Sequence, residues 1–294
     1  MIKIFLVILM LFFISCSKGS NSQETKTLSS PSNYLLQYTL PDKLFFCGER
    51  VPLEIEEVRE RAEREFYLNL QSPGQIIIYL KRAGRFFPMF EKKLMENNVP
   101  DDLKFLSVAE SALYMPRSSK DAVGLWQFIP KTGKNMGLQI DEYVDERRHP
   151  EKSTQAAIEY LIMGYKSSKS WMLAAAGYNM GHENLSDNLK FQNSDNFFDL
   201  FLNEETSRYI LRIVIVKEIM QNPQKYGFEL GPNQQYKPFK YKIVSESGAI
   251  TNLNDWAKKH KTTYKEVKLL NPWILQRSLP APPKGKFWEI AIPK

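Results

Sequence analysis

The sequence predicts a mainly α-helical protein that ends in a small domain of two strands and two helices. Apolar residues recur at helical spacing over 54–70 and 151–166. The segment 205–220 is apolar nearly all round, which is typical of a helix inside a domain. Toward the C-terminus, the strand-like runs 241–244 and 288–292 enclose two short helical patterns, which predicts the order βααβ.

The composition fits a folded protein with room for two domains. The chain has 294 residues, of which 43% are hydrophobic, so a large and a small domain can each bury a core. The net charge of +7 is spread along the chain, which is typical of a solvated surface and also suits an anionic polymer. The chain carries no nucleic-acid recognition motif. We therefore expect no nucleic-acid partner, and we expect a monomer.

The N-terminus has the pattern of a secretory signal peptide. Lys3 precedes an unbroken apolar run over 4–14, and Ser15 and Cys16 follow it. About 20 apolar residues are needed to span a bilayer, so this run is too short for a transmembrane helix. Its length and flanking residues suit a signal peptide instead.

The end of that run, Phe13-Ile14-Ser15-Cys16, resembles a bacterial lipobox, in which the cysteine is acylated and becomes the mature N-terminus. The resemblance implies a signal peptide over 1–16 and a lipid anchor at Cys16 that holds the protein on a membrane. It also implies a place in the bacterial cell envelope, facing the periplasm and at the outer membrane; ordinary secretion is the alternative. The polar segment that follows predicts a tether or linker, which we place at 17–50.

Cysteine and histidine usage argues against a disulfide framework and a metal centre. If Cys16 is lipidated, Cys47 has no disulfide partner. His149, His182 and His260 are scattered, and no His/Cys cluster has the spacing of metal ligands. We expect no metal and no cofactor.

One predicted helix carries an acid on its apolar stripe. The aspartates at 101–102 can cap its start, and Leu103, Leu106 and Glu110 then share one face. Pro116 prevents much continuation, so Glu110 lies in the last full turn. There the carbonyl end of the helix dipole and partial burial both raise the pKa of a carboxyl group, as a general acid near neutral pH requires. The alternative is that Glu110 only caps the helix or pairs with a neighbouring base.

The segments around this helix are also predicted to be mostly helical. Ser72-Pro73 begins a helix that we expect to be interrupted near Pro88. Its inward-facing residues are predicted to be Ile76, Ile77 and Leu80. The polar stretch 117–124 predicts a loop or short hairpin, and Ser170 is predicted to cap a further helix.

Short motifs occur in a fixed order over most of 73–221. They are Glu110-Ser111, Ala122-Val123-Gly124-Leu125-Trp126-Gln127-Phe128-Ile129-Pro130, Thr132-Gly133, Asp145-Glu146-Arg147-Arg148, Ala156-Ala157 and Ala176-Gly177-Tyr178-Asn179-Met180-Gly181. Together they resemble the signature of the lysozyme-like lytic transglycosylases, and the match is closest to the membrane-bound type D branch. The resemblance implies an α+β lysozyme-like catalytic domain, placed at 51–232 with an N-terminal helical extension. In that family the region 117–124 forms a small β-like lobe beside the catalytic helix.

The resemblance also implies a reaction on peptidoglycan. Glu110 would protonate the oxygen that joins N-acetylmuramic acid to N-acetylglucosamine, and the muramoyl acetamido oxygen would support the cation. Glu110 would then take the proton of the sugar's own 6-hydroxyl, which closes a 1,6-anhydro ring without water. No second carboxylate is assigned: Asp121 stands where the family often has glycine, and Asp145 is expected to pair with Arg147 or Arg148.

Five smaller roles follow from the resemblance. Ser111 is expected to hydrogen-bond near the muramoyl group or the catalytic acid, or else only to end the helix. Gln127 is expected to contact a sugar amide. In the family, the position of Tyr178 lies near the acid and that of Asn179 holds backbone or saccharide. Tyr209 corresponds to a cleft tyrosine that donates a hydrogen bond to the catalytic carboxylate; packing is the alternative for a tyrosine on so apolar a helix.

The C-terminal segment 238–294 resembles a LysM glycan-binding module. The resemblance lies in the βααβ order, in Leu270-Asn271-Pro272 and in the closing Ile290-Ala291-Ile292-Pro293. The Gly-Asp-Thr usually found after the first strand is replaced by Ser247-Gly248-Ala249-Ile250. Glycan binding and a structural end-piece without a ligand are both open for this module.

Three functions are consistent with the sequence. The first is a peptidoglycan lytic transglycosylase, with glycan strands as its partner. The second is a hydrolytic muramidase of similar fold that uses water as the nucleophile. The third is a non-catalytic cell-wall-binding lipoprotein.

Overall fold

The computed structural model of the protein describes residues 31–231 and 233–294. The predicted signal peptide, the predicted lipidation site Cys16 and the first part of the tether lie outside these residues. The chain divides into two units, of which the first ends at Gln37 and the second is Tyr38–Lys294. The described part of the first unit contains one short helix, α1 (Pro31–Leu36). No helix in the described ranges combines the length and the apolar character that a membrane crossing needs.

The larger part of the second unit is helical, as predicted. After a hairpin of two short strands, β1 (Phe45–Phe46) and β2 (Glu49–Arg50), its helices are α2 (Glu56–Leu70), α3 (Pro73–Glu96), α4 (Lys104–Ser111), α5 (Pro130–Asn135), α6 (Pro150–Ser168), α7 (Trp171–Met180), α8 (His182–Gln192) and α9 (Glu204–Gln221). Helix α9 packs against α2, α4 and α7. Its apolar residues are buried on all sides, so the prediction of an internal helix is confirmed.

Residues 40–51 belong to the folded unit and not to a free linker. The buried apolar residues of this segment are Leu40, Leu44, Phe46 and Val51. The backbone N–H of Cys47, whose thiol is free, donates to Asp102 Oδ2 at 2.7 Å. The linker predicted over 17–50 therefore extends too far toward the C-terminus, because apolar residues in its second half pack on the domain.

The helix that follows α2 differs from the prediction in two ways. Helix α3 runs through Pro88 without a break. Phe87 packs edge-on against Phe105, and Phe90 lies with its ring centre 5.1 Å from that of Trp126. We infer that this aromatic packing outweighs the loss of one backbone hydrogen bond at the proline, which costs about 3 kcal/mol in an unsupported helix.

The second difference concerns the inward face of α3. Ile76 and Leu80 are buried as predicted, but Ile77 is 40% exposed. One residue advances a helix by about 100°, so Ile77 falls beside the stripe rather than on it. Ser170 caps α7 as predicted, by accepting a hydrogen bond from the Leu173 N–H at 3.1 Å.

The C-terminal module, residues 241–294, has the predicted βααβ order. Its elements are β3 (Tyr241–Glu246), α10 (Leu253–Lys259), α11 (Tyr264–Leu270) and β4 (Trp288–Pro293). The strands pair antiparallel in a register that runs from Tyr241 opposite Pro293 to Glu246 opposite Trp288. The connector before the module lies on α3, where the Tyr236 N–H donates to the Lys81 carbonyl at 2.9 Å.

Candidate active site

The helix that carries Glu110 does not begin as predicted. A 3₁₀ turn, Asp101–Leu103, precedes α4, and neither aspartate caps it with a side-chain hydrogen bond. Asp101 instead pairs with Lys104 at 2.5 Å, and Asp102 pairs with Lys217 on α9 at 2.5 Å. The predicted cap is wrong because nearby cations bind both carboxylates. The pair between Asp102 and Lys217 also ties the start of α4 to α9.

The end of α4 places Glu110 where the sequence predicted it. Leu103 and Leu106 are fully buried, Glu110 is half-buried on the same face, and the helix ends one residue after it. The termination is due to Ala112 and not to a proline, since Ala112 adopts the left-handed conformation with φ 55°. Arg82 then binds the Ala112 carbonyl at 3.0 Å.

The surroundings of Glu110 bring the pKa of its carboxyl group close to neutral pH. Burial raises its pKa from 4.5 to about 7. The hydrogen bond from the Tyr209 hydroxyl and the charge of Arg212 lower the pKa, while the charge of Glu205 raises it. All three of these residues lie on α9. The site therefore holds a carboxyl group that can both donate and accept a proton near neutral pH.

Tyr178 and Asn179 lie on α7, and Tyr178 is close enough to Glu110 to be affected by its charge. The Tyr178 hydroxyl donates to the Trp126 carbonyl at 2.6 Å, and burial followed by the nearby charge of Glu110 raises its pKa well above 10. Asn179 Oδ1 accepts a hydrogen bond from the Thr206 hydroxyl at 3.0 Å. Asn179 and Thr206 also line a groove of about 380 Å³. Its other polar lining residues include Lys120, Asn184, Asn203 and Glu205.

Ser111 and Gln127 both bind the backbone of the motif loop, which we define as residues 122–128. The Ser111 hydroxyl, on a side chain that is almost fully buried, lies 2.8 Å from the Leu125 carbonyl and 3.0 Å from the Ser107 carbonyl. Gln127 Nε2 donates to the Gly124 carbonyl at 2.8 Å. The structure thus gives both side chains backbone partners, and their contacts with a sugar stay predictions.

A buried ion pair holds the motif loop from the other side. Arg147 binds Asp145 through two hydrogen bonds of 2.9 and 2.8 Å, so the predicted pairing of Asp145 is confirmed. The same guanidinium donates to the carbonyls of Asp121 and Phe128 at 2.7 and 3.0 Å. Isolated bridges at Val123 make the region a β-bridged loop, in agreement with the predicted loop or hairpin.

One charged group near the site was missed in the sequence. Glu65 on α2 is only 2% exposed, and its carboxylate binds Arg208 Nε at 2.5 Å and Arg212 Nε at 3.5 Å. The signal was present, because Glu65 follows Val58 by seven residues on the buried stripe of α2. The reasoning that singled out Glu110 applies equally to Glu65.

Metal ligation has no candidate in the described part of the chain. Within residues 31–231 and 233–294, no group of three or more His, Cys, Asp or Glu side chains is placed to hold a metal ion.

Two segments of the chain are similar to known protein families. Residues 87–201 match the family "Transglycosylase SLT domain", and residues 242–294 match "Soluble lytic transglycosylase C-terminal LysM-like domain". The first match contains α4 with Glu110, the motif loop and α7. The second contains nearly the whole C-terminal module.

Two individual relatives carry the name of a transglycosylase. Over 193 residues the chain is 30% identical to membrane-bound lytic murein transglycosylase D of Escherichia coli K12, a match that covers 63% of this chain and 42% of the relative. The same figures hold for the protein of that name in Escherichia coli O6:H1. A putative tributyltin chloride resistance protein of Alteromonas sp. strain M-1 is 29% identical over 102 residues, covering 34% of this chain and 49% of the relative.

The chain spans less than half the length of these curated relatives. Its two parts are thus similar to a transglycosylase SLT domain and to a C-terminal LysM-like domain, the two families that its motifs resemble.

Proposed function

We propose that the protein is a peptidoglycan lytic transglycosylase with Glu110 as its single general acid and base. The observation that carries the proposal is the carboxyl group of Glu110, whose pKa burial raises to about 7 inside a transglycosylase SLT domain. A carboxyl group with such a pKa is a good proton donor at neutral pH, and its conjugate base is a good acceptor.

The proposed reaction uses both forms of this group. Protonated Glu110 gives its proton to the glycosidic oxygen between N-acetylmuramic acid and N-acetylglucosamine, and the carbon–oxygen bond breaks. The muramoyl acetamido oxygen supports the positive charge. The carboxylate of Glu110, stabilised by the Tyr209 hydroxyl, then removes the proton of the muramoyl 6-hydroxyl. The 6-oxygen closes the 1,6-anhydro ring, and because this nucleophile belongs to the substrate it has a high effective concentration.

The other predicted site residues support this reaction in two ways. Asn179 lines the groove beside α9, and we propose that it binds the glycan strand there. Ser111, Gln127 and Tyr178 bind backbone carbonyls of or beside the motif loop. We propose that they hold the loop against the acid and that any contact with the saccharide is secondary.

The place of the protein in the cell is a separate proposal. Its similarity to a protein named membrane-bound and the lipobox-like sequence ending at Cys16 support a lipid anchor that faces the periplasm, at the outer membrane. We propose that the anchored protein is a monomer. Incorporation of a labelled fatty acid by the wild type and its loss in Cys16→Ala test the anchor; equal labelling of both would contradict it.

The reaction is tested by digesting purified sacculi with the wild type, Glu110→Gln and, as a matched control, the exposed Glu60→Gln. Mass analysis of the products should show 1,6-anhydromuramoyl ends with the wild type and the control only. Reducing muramic acid ends would instead identify a hydrolytic muramidase. No cleavage by the wild type, with sacculus binding that Glu110→Gln leaves unchanged, would identify a non-catalytic wall-binding protein.

A further inference from the structure

The C-terminal module is joined to the catalytic domain by backbone hydrogen bonds. Val144 and Ile274 form an antiparallel bridge. On either side of it, the Asp145 N–H donates to the Trp273 carbonyl and the Leu275 N–H donates to the Tyr143 carbonyl, both at 2.8 Å. The bridge segment, residues 143–145, is therefore held by the module through an isolated antiparallel bridge outside its two-stranded sheet.

The two parts also share a hydrophobic core. Val144 is fully buried although it belongs to the catalytic domain by sequence. The module residues in the same cluster include Ile250, Leu253, Trp256, Trp273, Ile274 and Trp288. The ring of His149 stacks on Trp273 at 5.9 Å between centres. A flexibly tethered binding module would not bury a side chain of its neighbour in its own core.

The bridge segment is connected to the motif loop through the side chains of Asp145 and Arg147. While the backbone N–H of Asp145 is held by the module, its carboxylate binds Arg147. Arg147 donates in turn to the carbonyls of Asp121 and Phe128, immediately before and at the end of the loop. Both charged side chains are buried, and buried charge-assisted hydrogen bonds hold their geometry closely.

The motif loop contacts α4, the helix that carries Glu110, and the neighbouring helix α7. The Leu125 carbonyl accepts from the hydroxyl of Ser111, the residue after Glu110. The next carbonyl, that of Trp126, accepts from Tyr178. Hydrogen bonds and the backbone thus connect the module to the catalytic helix without a gap.

We propose that the C-terminal module is a positioning element of the catalytic site, acting through Val144 on the motif loop, so that it determines the turnover rate more than the affinity for glycan. The proposal rests on the proposed function, because the reaction whose rate it affects is the transglycosylation. Val144 touches no reacting atom and is a positioning residue. A module that serves mainly to bind glycan would instead affect the KM.

The test compares variants at Val144 in the full chain, with soluble, peptide-free glycan strands as the substrate. Val144→Asp should lower kcat about tenfold or more and leave KM within about twofold; Val144→Ala should change kcat in the same direction by about threefold. Val144→Ile should retain nearly the wild-type kcat. Ile243→Ala, on the half-exposed face of β3, is the control and should match the wild type. Val144→Ala carries the test if the aspartate variant does not fold.

A second measurement does not depend on catalysis. Amide hydrogen exchange at Val123, whose N–H donates to the Phe128 carbonyl at 3.1 Å, should be about tenfold faster in Val144→Ala than in Ile243→Ala. A raised KM at unchanged kcat, or unchanged kcat together with unchanged exchange at Val123, would overturn the proposal. Failure of the wild type to form anhydro ends would instead contradict the proposed function, while the exchange measurement still tests the coupling.

Discussion

The Tyr209 hydroxyl donates a hydrogen bond to Glu110 Oε1, which joins α9 to the last turn of α4. Tyr209 is buried, and burial, followed by the negative charge of Glu110, raises its pKa well above 10. It is therefore a neutral donor at every pH at which the site works. A neutral donor stabilises the carboxylate over the carboxylic acid and so partly opposes the effect of burial on Glu110.

Replacing Tyr209 by Phe removes this donor and keeps the ring. We expect kcat to fall about 10- to 100-fold, since the carboxylate left after proton transfer loses its partner. The pKa of Glu110 should rise, so the alkaline limb of the pH–rate profile should move to higher pH. Release of anhydro ends between pH 5 and 9 measures both effects. Tyr226→Phe is a matched control, because Tyr226 also donates to a carboxylate, that of Glu218 at 2.7 Å, and should leave the profile unchanged.

Arg212 is predicted to influence the pH range of the proposed reaction through its charge. It lies three residues after Tyr209 on α9, and its positive charge lowers the pKa of Glu110. Arg212→Met should therefore raise that pKa and move the alkaline limb of kcat/KM to higher pH. Arg208→Met is the control, because Arg208 binds the same Glu65 carboxylate, at 2.5 Å against 3.5 Å for Arg212. Equal shifts in the two variants would show that Arg212 acts only through Glu65.

Much of the fold could be predicted from the sequence because the apolar pattern of several helices is distinct. The buried stripe of α2 follows from helical periodicity, and the internal position of α9 follows from its being apolar nearly all round. Helix α8 could not be found in this way, since Leu185 is the one residue that it buries and its polar sequence carries no clear period. Helix α3 was predicted with an interruption because the packing that carries it through Pro88 involves residues distant in sequence.

In the candidate site, too, some features could be predicted from local sequence and others depend on contacts between residues far apart in the chain. The apolar stripe made Glu110 a candidate but fits Glu65 equally well, and the family motifs favoured Glu110. The same motifs indicated Tyr209, whose hydrogen bond to Glu110 the structure contains. The contacts of Arg147 with two loop carbonyls span 19 and 26 residues, and no local pattern encodes them. Helix α4 begins without its predicted cap for a similar reason: the cation that binds Asp102 comes from α9.

The raised pKa of Glu110 has a consequence for stability. The native state binds a proton at Glu110 between pH 4.5 and about 7 that the unfolded chain has released, so the free energy of unfolding falls as pH rises through this range. Above pH 7 the buried charge is present and destabilises the native state by about 1–3 kcal/mol. Glu110→Gln should therefore stabilise the protein at pH 8 and have little effect at pH 4. Denaturant unfolding of both proteins at the two pH values measures this, and an equal difference at both would contradict the pKa.

The motif loop requires glycine at position 124 for a reason that a matched substitution can isolate. Gly124 has φ +88°, and a Cβ there would lie 2.0 Å from the Arg147 carbonyl oxygen. Gly137 has a similar φ of +80°, but a Cβ there would meet no atom within 4 Å. Gly137→Ala should therefore cost only the strain of the left-handed conformation, about 1–2 kcal/mol. Gly124→Ala should cost about 3 kcal/mol or more, because the loop must also move away from Arg147. Denaturant unfolding gives the two values, and equal values would mean that the loop and Arg147 are not held as closely as the structure shows.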